Sequence, residues 1–237
     1  MSAQMDLQPC FVLHSRPYRE TSLLVDLFTR EHGVVPTVAK GIRGRKGSRR
    51  AILQPFRRIQ CAWRGRGELV GLTKFESDGL SYDYSKEVLY SGFYLNELLI
   101  RLLHRHDPHE LLFDAYAQVL EDFQQADKLE VHLREFEFLL LNELGYGVDL
   151  AWDINDQPIL AEQLYQLTSQ QRFIVLTTGQ DADANTFLGA ELMAIAQQDW
   201  QQHGILKQAK RLSRLSMSPL LGDKPLQSRA LFRSYQR

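Results

Sequence analysis

Residues 11–39 read FVLHSRPYRETSLLVDLFTREHGVVPTVA. No helical period runs through them. Phe11 to His14, Thr21 to Thr29 and Val34 to Ala39 form three β-prone runs, and Gly33 opens the turn before the third. Further along, Leu53 to Trp63 and Glu68 to Phe75 read as two more strands, joined by Arg64-Gly65-Arg66-Gly67. Five short strands within about 70 residues, with glycine-rich turns and no helical period between them, predict a small closed barrel. An OB-type barrel fits that count, and a five-stranded SH3-like barrel fits it equally. Between the third and fourth runs lies GIRGRKGSRR, residues 41–50. Its glycines and charges predict a loop that packs no core.

The pattern changes near Ser81. From Lys86 to His104, Leu89, Phe93, Leu95, Leu99, Leu102 and Leu103 recur at helical spacing. Asp107-Pro108-His109-Glu110 reads as a helix start, with Asp as N-cap and Pro at the first helical position. The helix it opens carries Leu112, Tyr116, Val119, Leu120 and Phe123 on one face. A third runs from about Lys128 to Leu144 and ends at Gly145. Short connections predict that these three pack as an antiparallel bundle. Residues 150–185 are irregular, with Gln171 to Thr178 as one strand and Gln180 to Asn185 as a polar loop. Further helices are predicted over Thr186 to Gln202, over Ile205 to Met217 with Pro219 to Pro225 breaking it, and over Ser228 to Tyr235.

The chain has 237 residues, 44% hydrophobic and 24% charged, which suits a globular protein of one large or two ordinary domains. No stretch of 18 apolar residues exists, so no membrane span is expected. Met1 to Pro9 lacks the basic-then-apolar layout of a secretory leader. Cys10 and Cys61 are the two cysteines. They can build neither a disulfide framework nor a four-cysteine zinc site, and read as buried thiols of a reducing compartment.

Motifs for catalysis are missing. There is no GxxxxGK[ST], no HExxH and no CxxC, and Gly65-Arg66-Gly67 lacks the third glycine and the helix of a dinucleotide fingerprint. His104, His106 and His109 straddle a helix junction and read as exposed or capping. Glu130, Glu135, Glu137 and Glu143 share one helix, and Glu130 and Glu137 flank Arg134 at i−4 and i+3. They read as a solvated polar face, not as the converging carboxylates of a metal nuclease. No cofactor and no metal are expected.

Net charge is −1, but it is unevenly spread. Residues 1–80 carry 14 Lys and Arg against 7 Asp and Glu, residues 81–204 carry 6 against 21, and residues 205–237 carry 8 against 1. The densest basic run, Arg43 to Arg66, contains no acid. Cations with interleaved aromatics suit a nucleic acid, whose phosphates take Arg and Lys and whose unpaired bases stack on rings. Tyr18 beside Arg16 and Arg19, Phe56 beside Arg57 and Arg58, and Trp63 beside Arg64 are the candidate rings. Phe56 and Trp63 differ by an odd number of residues, so at most one stacks and the other fills the core. A binding protein for DNA, one for RNA or the ribosome, and a metal nuclease remain the three readings of the residues.

Five segments together resemble the RecO family: FVLHSRPYRETSLLVDLFTREHG, VAKGIRG, LYSGFYLNELL, LLLNELGYG and KPLQSRALFR. The likeness keeps their order and covers nearly the whole chain. It implies an α+β protein: an all-β N-terminal OB-type barrel over residues 1–80 and a mainly α-helical C-terminal domain over residues 81–237. The latter would contain an irregular 150–185 insert and a basic C-terminal helix. Some members of the family carry a four-cysteine zinc module. No cysteine follows Cys61, so residues 150–185 would hold its metal-free remnant.

The resemblance further implies a bacterial, cytoplasmic, nucleoid-associated protein without catalysis. Such a protein binds single- and double-stranded DNA and anneals complementary strands. It engages the acidic, phenylalanine-ended C-terminal tail of the single-stranded-DNA-binding protein, and with RecR it helps load the RecA recombinase. Carried over to this chain, the DNA contacts are Lys40, Arg43, Arg45, Lys46, Arg49, Arg50, Arg57, Arg58, Arg64 and Arg66. Arg134 is the expected contact for the partner's tail, with Arg101 and Arg105 as weaker candidates. Lys207, Lys210, Arg211 and Arg214 form a possible second basic surface, which could take the tail, extend the DNA path or pair with the acidic helices.

Overall fold

The computed structural model describes residues 6–42, 48–79, 82, 84–125, 128–177 and 181–235. Arg43, Arg45 and Lys46, with Gly44, Ser81, Thr178 and Gln180, lie outside the described residues. Two compact units form: residues 1–127 with 225–237, and residues 128–224.

In the first unit, β1 (Gln8–Tyr18), β2 (Ser22–Thr29), β3 (Gly33–Ala39), β4 (Arg58–Arg64) and β5 (Val70–Ser77) close into a barrel in the order β1-β2-β3-β5-β4. β4 pairs back onto β1, and β3 meets β5 in parallel while the other neighbours are antiparallel. This five-stranded closure is OB-type. Alternation along each strand sends Cys10, Val12, Leu23, Val25, Leu27, Ile59, Cys61 and Trp63 into one apolar interior. Both cysteines are free, fully buried thiols. Burial, then the contact with Cys61, pushes the Cys10 thiol well above its ordinary value.

The predicted loop at 41–50 does contribute to that interior. Ile42 is buried, and α1 (Ser48–Ile52) leads into Leu53, which is fully buried. The predicted strand Leu53 to Trp63 therefore begins only at Arg58. Leu53 donates its N–H to the Arg50 carbonyl at 3.3 Å and Arg57 to that of Gln54 at 3.3 Å, so the chain turns before it extends.

Two helices are built on the barrel's outside. α2 (Lys86–Leu102) and α3 (Glu110–Asp122) belong to its compact unit. Phe11 and Phe28, outward on β1 and β2, meet Phe113 and Tyr116 of α3 with ring centroids 5.2–5.9 Å apart. Buried Asn96 of α2 donates Nδ2–H to the Leu13 carbonyl at 2.7 Å and accepts from the Tyr116 hydroxyl at 2.5 Å. α2 packs on β1 and on α7 (Ser228–Tyr235), whereas α4 (Leu129–Glu143) belongs to the other unit. Gly92 of α2 faces the Phe56 ring, which would lie 2.7 Å from a Cβ placed there.

The start of α3 also differs from expectation: His109, not Asp107, is its N-cap. His106 donates its N–H to the Val34 carbonyl at 3.1 Å, and the Asp107 carbonyl sits against Gly33, 1.8 Å from where a Cβ would stand. Residues 105–107 are thus held along β3 and cannot begin the helix. Gly33, at φ +54°, is the residue that permits both the turn and this approach.

α7 is held by a carboxylate. Glu97 of α2 accepts from the Gln227 and Ser228 N–H groups at 2.8 Å each and from the Ser228 hydroxyl at 2.7 Å. Burial pushes the Glu97 carboxyl up, but these bonds and Arg101 at 3.7 Å outweigh it and hold it below the usual glutamate value.

In the second unit, β6 (Leu164–Leu167) pairs antiparallel with β7 (Phe173–Val175) and with β8 (Thr186–Leu188). α5 (Gly189–Ala196) follows β8, so the helix predicted from Thr186 starts later, after the segment joins the sheet. α6 (Ile205–Leu221) packs on α4 and runs through Pro219, whose missing N–H falls in the last turn, where it removes a single bond. Tyr165, Phe173, Phe187, Leu192 and Leu212 centre this unit's core.

Replacing Asn96 by Ala removes two buried hydrogen bonds at once, the one to the Leu13 carbonyl and the one from the Tyr116 hydroxyl. It should lower the unfolding free energy by about 2–4 kcal/mol in denaturant titrations. A loss under 1 kcal/mol would show that the network is incidental. A carboxyl with a depressed pKa stabilises above its unfolded value, about 4.3, and loses that contribution as pH falls through the lower folded value. Hydrogen-exchange protection of the α7 amides should therefore drop on acidification in the wild type. It should be low and flat with pH in Glu97→Ala.

Candidate nucleic-acid interface

Strand register fixes where the barrel's cations stand. Arg16 pairs with Leu24, Leu24 with Val38, Val38 with Gly71, and Gly71 with Arg64. These five are the outward positions, since their neighbours Leu23, Ala39, Val70 and Trp63 belong to the core. One line therefore crosses the outer face from Arg16 on β1 to Arg64 on β4. At about 4.8 Å per strand it is roughly 19 Å long. Its middle, Leu24, Val38 and Gly71, is low and carries no charge. One step along the strands, Tyr18 pairs with Ser22, and Lys40 follows β3 next to the β1–β2 turn. Arg66 extends the row through the β4–β5 turn, and Lys74 is exposed on β5.

Lys40, Arg64 and Arg66 from the predicted set fall in this band. They are exposed, and among the described residues they make no ion pair with a carboxylate. Arg49 and Arg50 are exposed on α1, and the Arg49 guanidinium lies 5.2 Å from the centre of the Phe75 ring. Arg57 and Arg58 stand apart. Six residues separate Arg58 from Arg64, about 20 Å along β4. Arg58 is committed to Asp78 at 3.0 Å, and Arg57 is half-buried beside it.

Neither Phe56 nor Trp63 offers a ring face. Phe56, at φ +67°, packs on Phe93 and Tyr84 with centroids 5.1 and 5.7 Å away. Trp63 lies in the barrel core with His32 edge-on to it at 5.5 Å. Sequence reasoning also passed over Arg16 and Lys74 as contacts, because it weighted the dense run at 43–66. The signal for Arg16 is parity: His14, Arg16 and Tyr18 occupy alternate, outward positions of β1.

The other candidate cations are mostly engaged. Arg105 pairs with Glu68 at 3.0 Å, and Arg101 pairs with Glu97 and donates to the Pro225 carbonyl at 3.3 Å. In the second unit Arg134 is 2% exposed and bonds Glu137, itself fully buried, at 2.8 Å. Glu137 also accepts from the Ser213 hydroxyl of α6 at 2.5 Å. The Nε and Nη1 groups of Arg134 are buried without an acceptor. On α6, Lys210 bonds Glu130 at 2.6 Å. Partial burial pushes the Glu130 carboxyl up, but Lys210, Arg134 and Arg214 outweigh it and hold it below its ordinary value. Arg211 lies 4.0 Å over the Phe187 ring and donates to the Thr186 carbonyl at 2.7 Å. Lys207 and Arg214 are exposed. For Lys210, pairing with the unit's own acids is the arrangement present.

Among the described residues no group of three His, Cys, Asp or Glu side chains converges as a metal would need, and no helix is long and apolar enough to cross a membrane. The donors for a four-cysteine zinc module are missing from the sequence altogether.

Comparison with known proteins agrees with this architecture. Residues 3–78 match the family profile "Recombination protein O N terminal", and residues 86–230 match "Recombination protein O C terminal". A Cellvibrio japonicus protein named DNA repair protein RecO is 43% identical over 231 residues, covering 97% of each chain. Proteins of the same name from Stutzerimonas stutzeri and Haemophilus influenzae are 45% and 41% identical. They cover 95% and 97% of this chain, and 92% and 96% of their own lengths. With the OB-type barrel and the mainly helical remainder already in place, the chain belongs to the RecO family of DNA repair proteins.

Proposed function

We propose that this chain is a non-catalytic recombination mediator of the bacterial cytoplasm, working at the nucleoid. Its barrel binds single- and double-stranded DNA and anneals complementary strands. With RecR it helps load RecA onto strands coated by the single-stranded-DNA-binding protein. The observation that carries this reading is the cation band: Arg16, Lys40, Arg64 and Arg66 share one outer region of the barrel without acidic partners among the described residues. Such cations repel one another until an anion lies among them, and a polyphosphate chain spans the band's length. Arg49 and Arg50 of α1, with Arg43, Arg45 and Lys46 between β3 and α1, would continue the path. Arg57 and Arg58 would lie at its margin.

The acidic, phenylalanine-ended tail of the coating protein would be received by the second unit at Arg134. In support, two N–H groups of that guanidinium are buried without an acceptor, and a partner carboxylate would supply one. Arg101 and Arg105 would assist only after leaving their present partners, and Lys207 and Arg214 could meet the tail's acidic residues. Residues 150–185 would be the remnant of a zinc module. Here Asp149 and Asp153 close turns by accepting backbone N–H groups, and Arg172 clasps Asp156 at 3.0 Å. Of these contacts, the one from Arg172 joins segments far apart in sequence.

If five phosphates are neutralised, log K for single strands should fall with log salt at a slope of about −3.5. Each of Lys40→Ala, Arg64→Ala and Arg66→Ala should make the slope shallower by about 0.7 on every sequence tried. Unchanged slopes would remove the band from the interface. Annealing of oligonucleotides coated by the single-strand binder should be accelerated, and no acceleration would count against a mediator.

For the tail, Arg134→Ala alone breaks the buried ion pair with Glu137, at about 3–5 kcal/mol. The informative variant is Arg134→Met with Glu137→Gln. It should fold with a thermal midpoint near the wild type yet bind a labelled acidic, Phe-ended peptide at least ten-fold more weakly. Equal affinity would exclude Arg134 as the receiver.

A further inference from the structure

Between the β1–β2 turn and the end of β3, the barrel's outer face holds an open cleft of about 580 Å³. It is lined by Tyr18, Arg19, Glu20, Thr21 and Ser22 from the turn and by Val38 and Lys40 from the end of β3. The volume is in the range of small-ligand sites, roughly 300–1,000 Å³.

Chemistry narrows what fits. The Tyr18 ring is half-buried, and the Arg19 guanidinium lies 5.2 Å from its centre. Arg19 and Lys40 against Glu20 leave a net charge of +1 in the cleft. One phosphate alone gains little there, so a good ligand must also use the ring. The other rings beside cations are occupied: Phe56 and Trp63 are buried at 4% and 6% exposure, and Phe75 packs on the barrel core under Arg49. Tyr18, by contrast, is only partly buried and lines a solvent-open cavity within the cation band. Val38 belongs to the line that continues across Gly71 to Arg64, so a strand entering the cleft runs on along the band.

We propose that this cleft is a subsite for one unpaired nucleotide, with its base against Tyr18 and its phosphate against Lys40. A base inside a duplex keeps its face covered by its neighbours and cannot reach the ring, whereas duplex phosphates still reach Lys40. The subsite therefore makes the barrel favour single strands over duplex, and it gives the annealing surface a place to hold a base before it pairs. This rests on the DNA-binding reading above.

The test uses the full chain, a single-stranded oligonucleotide containing 2-aminopurine, and its duplex, at one fixed salt concentration. The wild type should bind the single strand with a change in 2-aminopurine fluorescence. Tyr18→Ala should bind it about ten-fold more weakly, lose the fluorescence change, and keep the duplex affinity and the salt slope. Tyr18→Phe should behave as the wild type. Tyr18 lies at a hairpin end outside the barrel core, and a circular-dichroism melt checks that Tyr18→Ala folds. If Tyr18→Ala leaves both affinities unchanged, or weakens both equally, the subsite is refuted while DNA binding by the barrel stands. If the wild type binds neither substrate, the DNA-binding reading itself fails and the subsite with it.

Discussion

Closure of five strands around one apolar interior is the constraint on which the rest depends. With the interior filled by Val12, Val25, Leu27, Ile59 and Trp63, every charged side chain on a strand must take the outward parity. The parallel pairing of β3 with β5 then decides which outward residues become neighbours. Val38 lies opposite Gly71, and through it Arg16 and Arg64 fall on one line although 48 positions separate them in sequence. A slip of one residue at that pairing would turn Val70 outward and break the line. The cation band proposed as the interface is thus a consequence of register, not of local charge density.

A second layer of specification sits in two adjacent residues of α2. Asn96 faces the barrel, where it satisfies the Leu13 carbonyl and the Tyr116 hydroxyl together. Glu97, one position on and about 100° around the helix, faces α7 and satisfies three donors at its start. Helix α2 is therefore a spacer with polar contacts on two sides. These contacts tie the chain's last helix to its first domain across 130 residues of intervening sequence. That return explains why residues 225–237 belong to the barrel's compact unit.

The sequence made some of this legible and hid other parts for physical reasons. Strand existence followed from β-prone runs and turn residues, and α7 was read to its bounds, Ser228 to Tyr235. The short β6 and β8 were not legible, since strands of three or four residues are defined by partners far along the chain. The helix start at Asp107 was misplaced because the Val34 carbonyl and Gly33 compete for residues 106 and 107. Among site residues, the crowding of arginines was visible, but whether each is spent internally was not. Arg58 beside Asp78 and Arg211 over Phe187 look like free cations until their partners are placed, whereas the pairing of Arg134 with Glu137 was already offered by their i, i+3 spacing. Phe56 likewise loses its apparent stacking role to Gly92, whose missing side chain makes room for the ring.

Charge along the chain and charge in space differ for the same reason. The linear segments suggested a strongly acidic middle between two basic ends. The compact units do not preserve that contrast. Residues 128–224 carry 8 Lys and Arg against 13 Asp and Glu, a net of −5, and the other unit carries 20 against 16, a net of +4. Helix α6 neutralises acids of α4 within its own unit, as Lys210 does for Glu130. At physiological ionic strength, charges more than about 8 Å apart in solvent scarcely feel one another. A net of +4 spread over a whole unit would hardly hold a strand. Four cations without carboxylate partners among the described residues, gathered on one outer region of the barrel, suit a polyphosphate better, and the proposed interface rests on their placement, not on the overall balance.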